Sequence, residues 1–239
     1  MDAPIDSRLI VALDFPSAAP ALALADRLSG LCRWFKVGLE LYLAEGNPLV
    51  AELGRRGFSI FLDLKLHDIP NTVAGAVRTA AGAGAAFLTV HAAGGPAMLA
   101  AAAEAAASIP SSPQLLAVTV LTSMDRGQLS AIGIDRSPAD QVLLLAGAAA
   151  GAGLSGFVTS PEEVSALRRR YPSATLVIPG IRPEGSSSAD QKRIATPAAA
   201  LAAGADYLVV GRPITQAADP TAAAQAILAE MQHASAAPA

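Results

Sequence analysis

The chain has 239 residues, 52% of them hydrophobic, and a formal net charge of −3. This length suits one large domain or two small ones, and it is close to the roughly 250 residues of an α/β barrel. The net charge is slightly negative and only 4% of the residues are aromatic, which argues against nucleic acid as a partner. A single cysteine, Cys32, excludes an internal disulfide, and the first residues lack a secretory signal, so we expect a cytoplasmic protein.

Eight short apolar segments recur along the chain and are typical of buried strands. Segments with helical character separate them, and glycine, proline or serine marks their boundaries. The predicted strands are 9–13, 34–39, 59–65, 87–91, 115–121, 156–159, 175–178 and 207–210. The predicted helices are 16–28, 41–55, 72–81, 96–107, 139–150, a segment that begins at 160–163, and 220–232.

This alternation of strands and helices contains no linker. It therefore predicts a single (β/α)8 TIM barrel over residues 1–239, with 233–239 as a frayed tail. A doubly wound open sheet is the alternative, but no G-x-G-x-x-G motif follows the first strand.

One uncharged span, residues 141–160, is almost long enough to cross a bilayer. It is rich in glycine and alanine and is interrupted by Gly-Ala-Gly at 151–153. We therefore predict a helix followed by a short strand, and no association with a membrane.

The densest polar cluster of the chain lies in FLDLKLHDIPNT, residues 61–72. Successive side chains of a strand alternate between faces, so Asp63 and Lys65 are predicted to point the same way. Asp68 follows just beyond the end of this strand. The pattern has two interpretations: a salt bridge at the end of a strand, or a catalytic lysine held between two carboxylates.

Polar residues also follow several other predicted strands, at the end where α/β barrels carry their active sites. Scattered charges would not favour one end of successive strands, so this regularity favours a functional site. The glycines beside Arg182 and Arg212, after strands seven and eight, predict a phosphate site, and the alternative for Arg212 is an ordinary surface arginine. The predicted cluster contains Asp14, Lys36, Asp63, Lys65, Asp68, His91, Thr122, Arg182 and Arg212.

We expect neither a metal site nor a catalytic cysteine. The three histidines, His67, His91 and His233, lack the close spacing of metal ligands. The carboxylates alternate with lysines, which repel a cation. Cys32 has no histidine near it in the sequence.

Segments spread over nearly the whole chain resemble the orotidine 5′-phosphate decarboxylase family of the bacterial type. The core D-x-K-x-x-D alone would be shared with sugar-phosphate lyases of the same superfamily, whereas the longer segments are far more specific. In chain order they are ALDF (12–15), FKVG (35–38), DLKLHDIPNTV (63–73), TVHAAGG (89–95), VTVLTS (118–123), PGIRPEG (179–185), DQKR (190–193) and VVGRPIT (209–215).

The resemblance implies decarboxylation of orotidine 5′-monophosphate to uridine 5′-monophosphate, the last step of de novo UMP biosynthesis, without metal or cofactor. Lys65 would stabilise the negative charge on the ring carbon and then protonate it. Asp63 and Asp68 favour a charged ammonium at Lys65 and place negative charge near the departing carboxylate. Lys36 would orient Asp63 and contact the ribose.

The resemblance also assigns the remaining contacts. Asp14 would bind a ribose hydroxyl and Thr122 would meet the pyrimidine. The loop at 183–190 would close over the phosphate. A homodimer is implied, in which Asp68 and Thr72 reach the neighbouring site. The implied substrate-binding set is Asp14, Lys36, Asp63, Ile69, Thr72, Thr122, Arg182, Gln191, Gly211 and Arg212.

Two other functions remain open at this point. One is a lyase or aldolase acting on another sugar phosphate, built on the same core and typically using magnesium. The other is a non-catalytic barrel that senses nucleotide monophosphates. Lys65 between two aspartates argues against the sensor, because a sensor has no use for a proton donor there.

Overall fold

Eight parallel strands close into a barrel in chain order in the computed structural model, which describes residues 8–183 and 193–236. Each strand pairs with the next, and β8 pairs with β1. This confirms the predicted (β/α)8 barrel. The strands are β1 Leu9–Ala12, β2 Trp34–Gly38, β3 Ser59–Leu66, β4 Phe87–His91, β5 Gln114–Val118, β6 Gly156–Val158, β7 Thr175–Ile178 and β8 Tyr207–Val210.

Helices follow the strands and surround the barrel. Short 3₁₀ helices at Ala92–Gly94 and Pro161–Glu163 follow β4 and β6. The α-helices are α1 Ala18–Arg27, α2 Leu39–Arg55, α3 Pro70–Ala81, α4 Gly95–Ala107, α5 Arg126–Ala131, α6 Pro138–Gly151, α7 Val164–Arg170, α8 Pro197–Ala202, α9 Arg212–Thr215 and α10 Pro220–Ala236.

Three short α-helices, α5, α8 and α9, lie where the sequence predicted only connections. In α5, the Asp125 side chain accepts the N–H of Gln128, and the Gln128 side chain accepts the N–H of Asp125. This capping box satisfies donors that a short helix would otherwise leave unpaired. Helix α8 begins with a Thr196 cap and Pro197 in its first turn. All three helices were missed because they are too short for an apolar period.

Several boundaries differ from the predicted ones. Helix α3 begins at Pro70 rather than at 72, because proline suits the first helical position. Strand β5 ends at Val118 rather than at 121. Helix α10 continues to Ala236, past the predicted end at 232.

The uncharged span contains a helix and a strand, as predicted. Helix α6 ends at Gly151 and β6 begins at Gly156. Across the two described stretches of the chain, no helix is long and apolar enough to cross a membrane.

Aromatic side chains fill the amino end of the barrel interior. Trp34, at the start of β2, stacks on Phe87, at the start of β4, with ring centroids 4.5 Å apart. Tyr207, at the start of β8, packs edge-on against both rings. Two residues further along β2, Lys36 follows Trp34 on the inward face. In the same way, Asp63 follows Phe61 on the inward face of β3. The interior is therefore closed at the amino end and polar at the carboxyl end.

Candidate active site

A cavity of about 300 Å³ lies at the carboxyl end of the barrel, inside the ring of strand ends. Apolar residues form much of its wall, and these are Ala12, Phe61, Val118, Val120, Leu121, Val158, Pro179 and Val209. The polar wall brings together most of the predicted site residues, namely Asp14, Lys36, Asp63, Lys65, Thr122, Arg182, Gly211 and Arg212, with Ser123 and Thr159 in addition.

Strand β3 is distorted where it carries the central lysine. Leu62 pairs with Leu88 and Leu66 pairs with Val90, so the register shifts between these two pairs. Within this bulge, Lys65 has a φ of +50°. The left-handed region is unfavourable for a residue with a Cβ and costs about 1–3 kcal/mol. Such strain is found where a side chain must be aimed at a functional site, and here Lys65 is aimed into the cavity.

Lys65 and Asp63 form a tightly held pair. The Lys65 Nζ donates to both carboxylate oxygens of Asp63, each at 2.9 Å. Thr89 on β4 accepts the Lys65 backbone N–H at 2.7 Å and donates its hydroxyl proton to Asp63 at 3.1 Å. Thr89 is fully buried, and its hydroxyl holds both the backbone of Lys65 and the carboxylate of Asp63 in place.

A second ammonium lies on the other side of Asp63. Lys36 Nζ is 2.9 Å from Asp14 and 3.8 Å from Asp63. The charges along this wall therefore alternate in sign, as the sequence predicted. Gly38 makes room for the contact, because a Cβ at this position would lie 2.7 Å from Lys36 Nζ and 3.3 Å from Asp14.

Two arginines and a glycine lie across the barrel from Lys65. Arg182 follows β7, which is four strands away from β3 in the closed order, and Gly211 and Arg212 follow β8. Arg182 is 7% exposed, and its Nη1 donates to the Ile181 carbonyl at 2.8 Å. Opposite walls of the cavity thus carry an ammonium group and two guanidinium groups.

Three predicted residues lie outside the cavity of this single chain. Asp68, Ile69 and Thr72 are all exposed, on the loop after β3 and the first turn of α3. The Asp68 carboxylate accepts the N–H of Ile69 at 2.6 Å. A fourth residue, Gln191, lies outside the described residues, as does most of the predicted phosphate loop.

His91, at the end of β4, contacts another histidine rather than a residue of the cavity wall. Its ring stacks on His67 with centroids 5.2 Å apart, and its Nδ1 accepts the N–H of Ala93. Burial, and then the nearby His67 and Lys65, lower the pKa of His91 from its ordinary value of 6.5. His91 lies at the carboxyl end of β4, as predicted, but it is not among the residues that line the cavity.

Two supporting residues were missed by sequence reasoning. Thr89 and Gly38 lie within the segments TVHAAGG (89–95) and FKVG (35–38), but they carry no charge and therefore attracted no role. A polar residue at an inward strand position, two residues before a strand end, was the available signal for Thr89. A glycine two positions after an inward lysine, and so on the same face of the strand, was the available signal for Gly38.

Comparison with known proteins assigns the chain to a family. The model of the family described as "Orotidine 5'-phosphate decarboxylase / HUMPS family" matches residues 7–227. The orotidine 5′-phosphate decarboxylase of Halorhodospira halophila is 57% identical over 233 residues, covering 97% of this chain and 98% of the relative. The protein of the same name from Dichelobacter nodosus is 52% identical, covering 94% of this chain and 99% of the relative.

Solved structures agree with this assignment. The crystal structure of orotidine 5′-phosphate decarboxylase from Lactobacillus acidophilus superposes with a TM-score of 0.79 at 40% identity, covering 94% of this chain and 99% of that one. An uncharacterized conserved protein from Geobacillus kaustophilus gives a TM-score of 0.81 at 39% identity. The barrel, the Asp63–Lys65 pair and these relatives lead to one conclusion: the chain belongs to the orotidine 5′-phosphate decarboxylase / HUMPS family.

Proposed function

We propose that this protein decarboxylates orotidine 5′-monophosphate to uridine 5′-monophosphate and carbon dioxide, the last step of de novo UMP biosynthesis. The observation that carries the proposal is the Lys65 ammonium, held by both oxygens of Asp63 and facing a cavity with arginines on its opposite wall. Further support comes from relatives named orotidine 5′-phosphate decarboxylase, 52% and 57% identical to this chain.

The step needs charge stabilisation more than it needs a nucleophile. When the bond between C6 and the carboxylate breaks, its electron pair stays on C6 and carbon dioxide leaves. The Lys65 Nζ then donates a proton to C6 and regains one from solvent. Unit charges about 4 Å apart interact by on the order of 4 kcal/mol at an effective dielectric of 20, so a fixed ammonium can contribute substantially.

The surrounding residues would hold the substrate in place. Asp14 and Lys36 would bind the ribose, Thr122 would contact the pyrimidine, and Asp63 would fix the Lys65 ammonium. Arg182, Gly211, Arg212 and Gln191 would bind the phosphate, with a bidentate fork available from each arginine. No metal or cofactor takes part in this scheme.

We further propose a cytoplasmic homodimer with shared active sites. Asp68, Ile69 and Thr72 are exposed in the single chain, although Asp68 is only three positions beyond Lys65. Leu39 and Leu43, at the start of α2, are 50% and 80% exposed, and Ile69 is 67% exposed. Apolar exposure of this kind near a site suits a second copy that contributes Asp68 and Thr72 to its neighbour.

One assay tests the activity. Purified protein in chelator should remove the absorbance of orotidine 5′-monophosphate and release one carbon dioxide for each uridine 5′-monophosphate formed. Activity that disappears in chelator would favour a magnesium-dependent sugar-phosphate lyase. Tight binding of nucleotide monophosphates without turnover would favour a sensor. Either result would overturn the proposal.

A further inference from the structure

A buried arginine outside the predicted site connects three loops at the mouth of the barrel. Arg193 is 5% exposed and belongs to the segment after β7. Its Nη2 donates to the carbonyl oxygens of Val120 at 3.1 Å and Leu121 at 2.9 Å, in the loop after β5. Its Nη1 pairs with Glu163, in the 3₁₀ helix after β6.

The segment that carries Arg193 is itself attached to the site. Ala195 forms a parallel bridge with Ile181. The Arg182 N–H donates to the Ala195 carbonyl at 2.9 Å, and the Ala195 N–H donates to Gly180 at 3.3 Å. The backbone close to Arg193 is therefore held beside Arg182, the arginine that lines the cavity.

Glu163 completes the connection from the other side. It is 3% exposed and accepts hydrogen bonds from the hydroxyls of Ser160 and Thr159, the latter at 3.4 Å. Thr159 lines the cavity, as do Val120 and Leu121. The ion pair thus touches two parts of the cavity wall from behind without facing the cavity itself.

Stability alone does not account for this pair. Burying two charges costs several kcal/mol per ion, and replacing a buried ion pair with apolar residues of similar volume is often neutral or stabilising. The Arg193 Nε also has no hydrogen-bond partner within the described residues. What arginine does supply is a rigid planar fork that holds several acceptors in one geometry.

We propose that Arg193 is a positioning residue for the decarboxylation proposed above, with Glu163 as its counter-ion. By holding the carbonyls of Val120 and Leu121, it sets the backbone that leads into Thr122 and Ser123, the wall that would meet the pyrimidine. This role depends on the proposed function, because it acts on the orientation of that substrate.

The first test separates positioning from stability. The double variant Arg193→Met, Glu163→Leu removes both charges together and leaves none buried alone. We expect its Tm to stay within a few degrees of the wild type, while kcat/KM for orotidine 5′-monophosphate falls by about 10- to 100-fold, the size of effect that a misplacement of about 1 Å produces. Arg193→Lys keeps the charge beside Glu163 but lacks the fork, so it should show a similar loss.

The second test is chemical rescue. Arg193→Ala leaves room for a guanidinium ion, so added guanidinium at millimolar concentration should raise its kcat/KM several-fold. Arg168→Ala is the matched control. Arg168 is also partly buried and donates to backbone carbonyls, but at the opposite end of the barrel. Guanidinium should not raise kcat/KM of that variant.

The outcomes are distinguishable from a failure of the proposed function. A wild-type protein without decarboxylase activity refutes the function itself. An active wild type with an equally active, folded double variant refutes the positioning role. If the double variant does not fold, Arg193→Lys and Arg193→Ala decide, and wild-type kcat/KM in the first or no rescue of the second refutes the role.

Discussion

Both ends of the barrel carry a depression with charged walls, and they use their charges differently. The two depressions are of similar size, about 370 Å³ at the amino end and about 300 Å³ at the carboxyl end. The charged and polar wall at the amino end includes Arg8, Arg168, Asp206 and Tyr207. Size and charge alone would therefore not distinguish the two ends of the barrel.

The arginines at the amino end donate hydrogen bonds to backbone carbonyls. Arg168 donates to the carbonyl oxygens of Gly204, Pro172 and Ala174, and Arg8 donates to those of Ala205 and Asp206. These carbonyls belong to loops that lead into β7 and β8. The guanidinium groups therefore join the loops beneath the barrel and leave little donor capacity for a ligand.

The lysines at the carboxyl end pair with carboxylate side chains and line the cavity. Lys65 and Lys36 bind carboxylates rather than carbonyls, and Lys65 does so from a backbone with a positive φ. An ammonium that is aimed into a cavity by a strained strand can act on a ligand. The two ends therefore differ in what the cationic side chains bind, and not in the number of charges. Arginines at the amino end bind backbone carbonyls and brace the structure, whereas lysines at the carboxyl end bind carboxylates and face the cavity.

Replacing the central lysine should produce the largest effect and would sharpen this contrast. Lys65→Ala removes the electrostatic stabilisation and the proton source together, so kcat should fall by at least about 1,000-fold. Circular dichroism should show an unchanged fold. Orotidine 5′-monophosphate absorbance measures the rate, and a fall of only about tenfold, about 1.4 kcal/mol, would contradict the assignment of Lys65 as the acid.

A complementation experiment tests whether the carboxyl end is incomplete in one chain. Lys65→Ala and Asp68→Ala proteins should each be inactive. After subunit exchange by partial unfolding, each heterodimer should contain one site with both lesions and one intact site. Activity should therefore return, and its absence from verified heterodimers would rule out sharing of Asp68.

Removing Arg212 from the wall opposite Lys65 should have a smaller effect than removing Lys65. Arg212→Ala loses a charge-assisted contact to phosphate, worth about 1.5–3 kcal/mol, so kcat/KM should fall by about 10- to 100-fold. Arg170→Ala, at the end of α7, is a control with the same change in charge. Equal activity of the two variants would show that Arg212 is an ordinary surface arginine with no role in binding phosphate.

The brace at the amino end should respond in the opposite way. Arg168→Ala loses hydrogen bonds to three carbonyls and its pair with Asp206, so the free energy of unfolding should fall by about 1–3 kcal/mol. Each kcal/mol lowers Tm by about 2–4 °C at this chain length. The value of kcat/KM at a temperature well below Tm should not change. A loss of activity there would remove the distinction between the two ends.

Features set by local pattern were predictable from the sequence. Apolar segments with turn residues between them predicted the eight strands, and alternation within a strand predicted that Asp63 and Lys65 share a face. The order of strands in a closed barrel then predicted that Lys36 and Arg212 would meet at the same end.

Features set by distant contacts were not predictable. The bulge at Lys65 depends on the register with β4 and on Thr89, which is 24 residues away. The Arg193–Glu163 pair joins residues 30 positions apart, and no local period relates them. The place of Asp68 depends on a second chain in our proposal, so one sequence read alone could indicate its role only through resemblance.

The smallest expected effect concerns the stacked histidines beside the site. Burial, His67 and Lys65 lower the pKa of His91 below its ordinary value of 6.5, so the folded state binds this proton less readily than the unfolded chain does. Stability should therefore fall as the pH decreases through about 6.5, with a slope of at most one proton from His91. His91→Asn keeps an acceptor for the Ala93 N–H and should flatten this slope in Tm measurements between about pH 7.5 and about pH 5.5. His233→Asn, on the exposed face of α10, should leave the slope as it is. If the His91→Asn protein keeps the wild-type slope, the acid sensitivity belongs to groups other than His91.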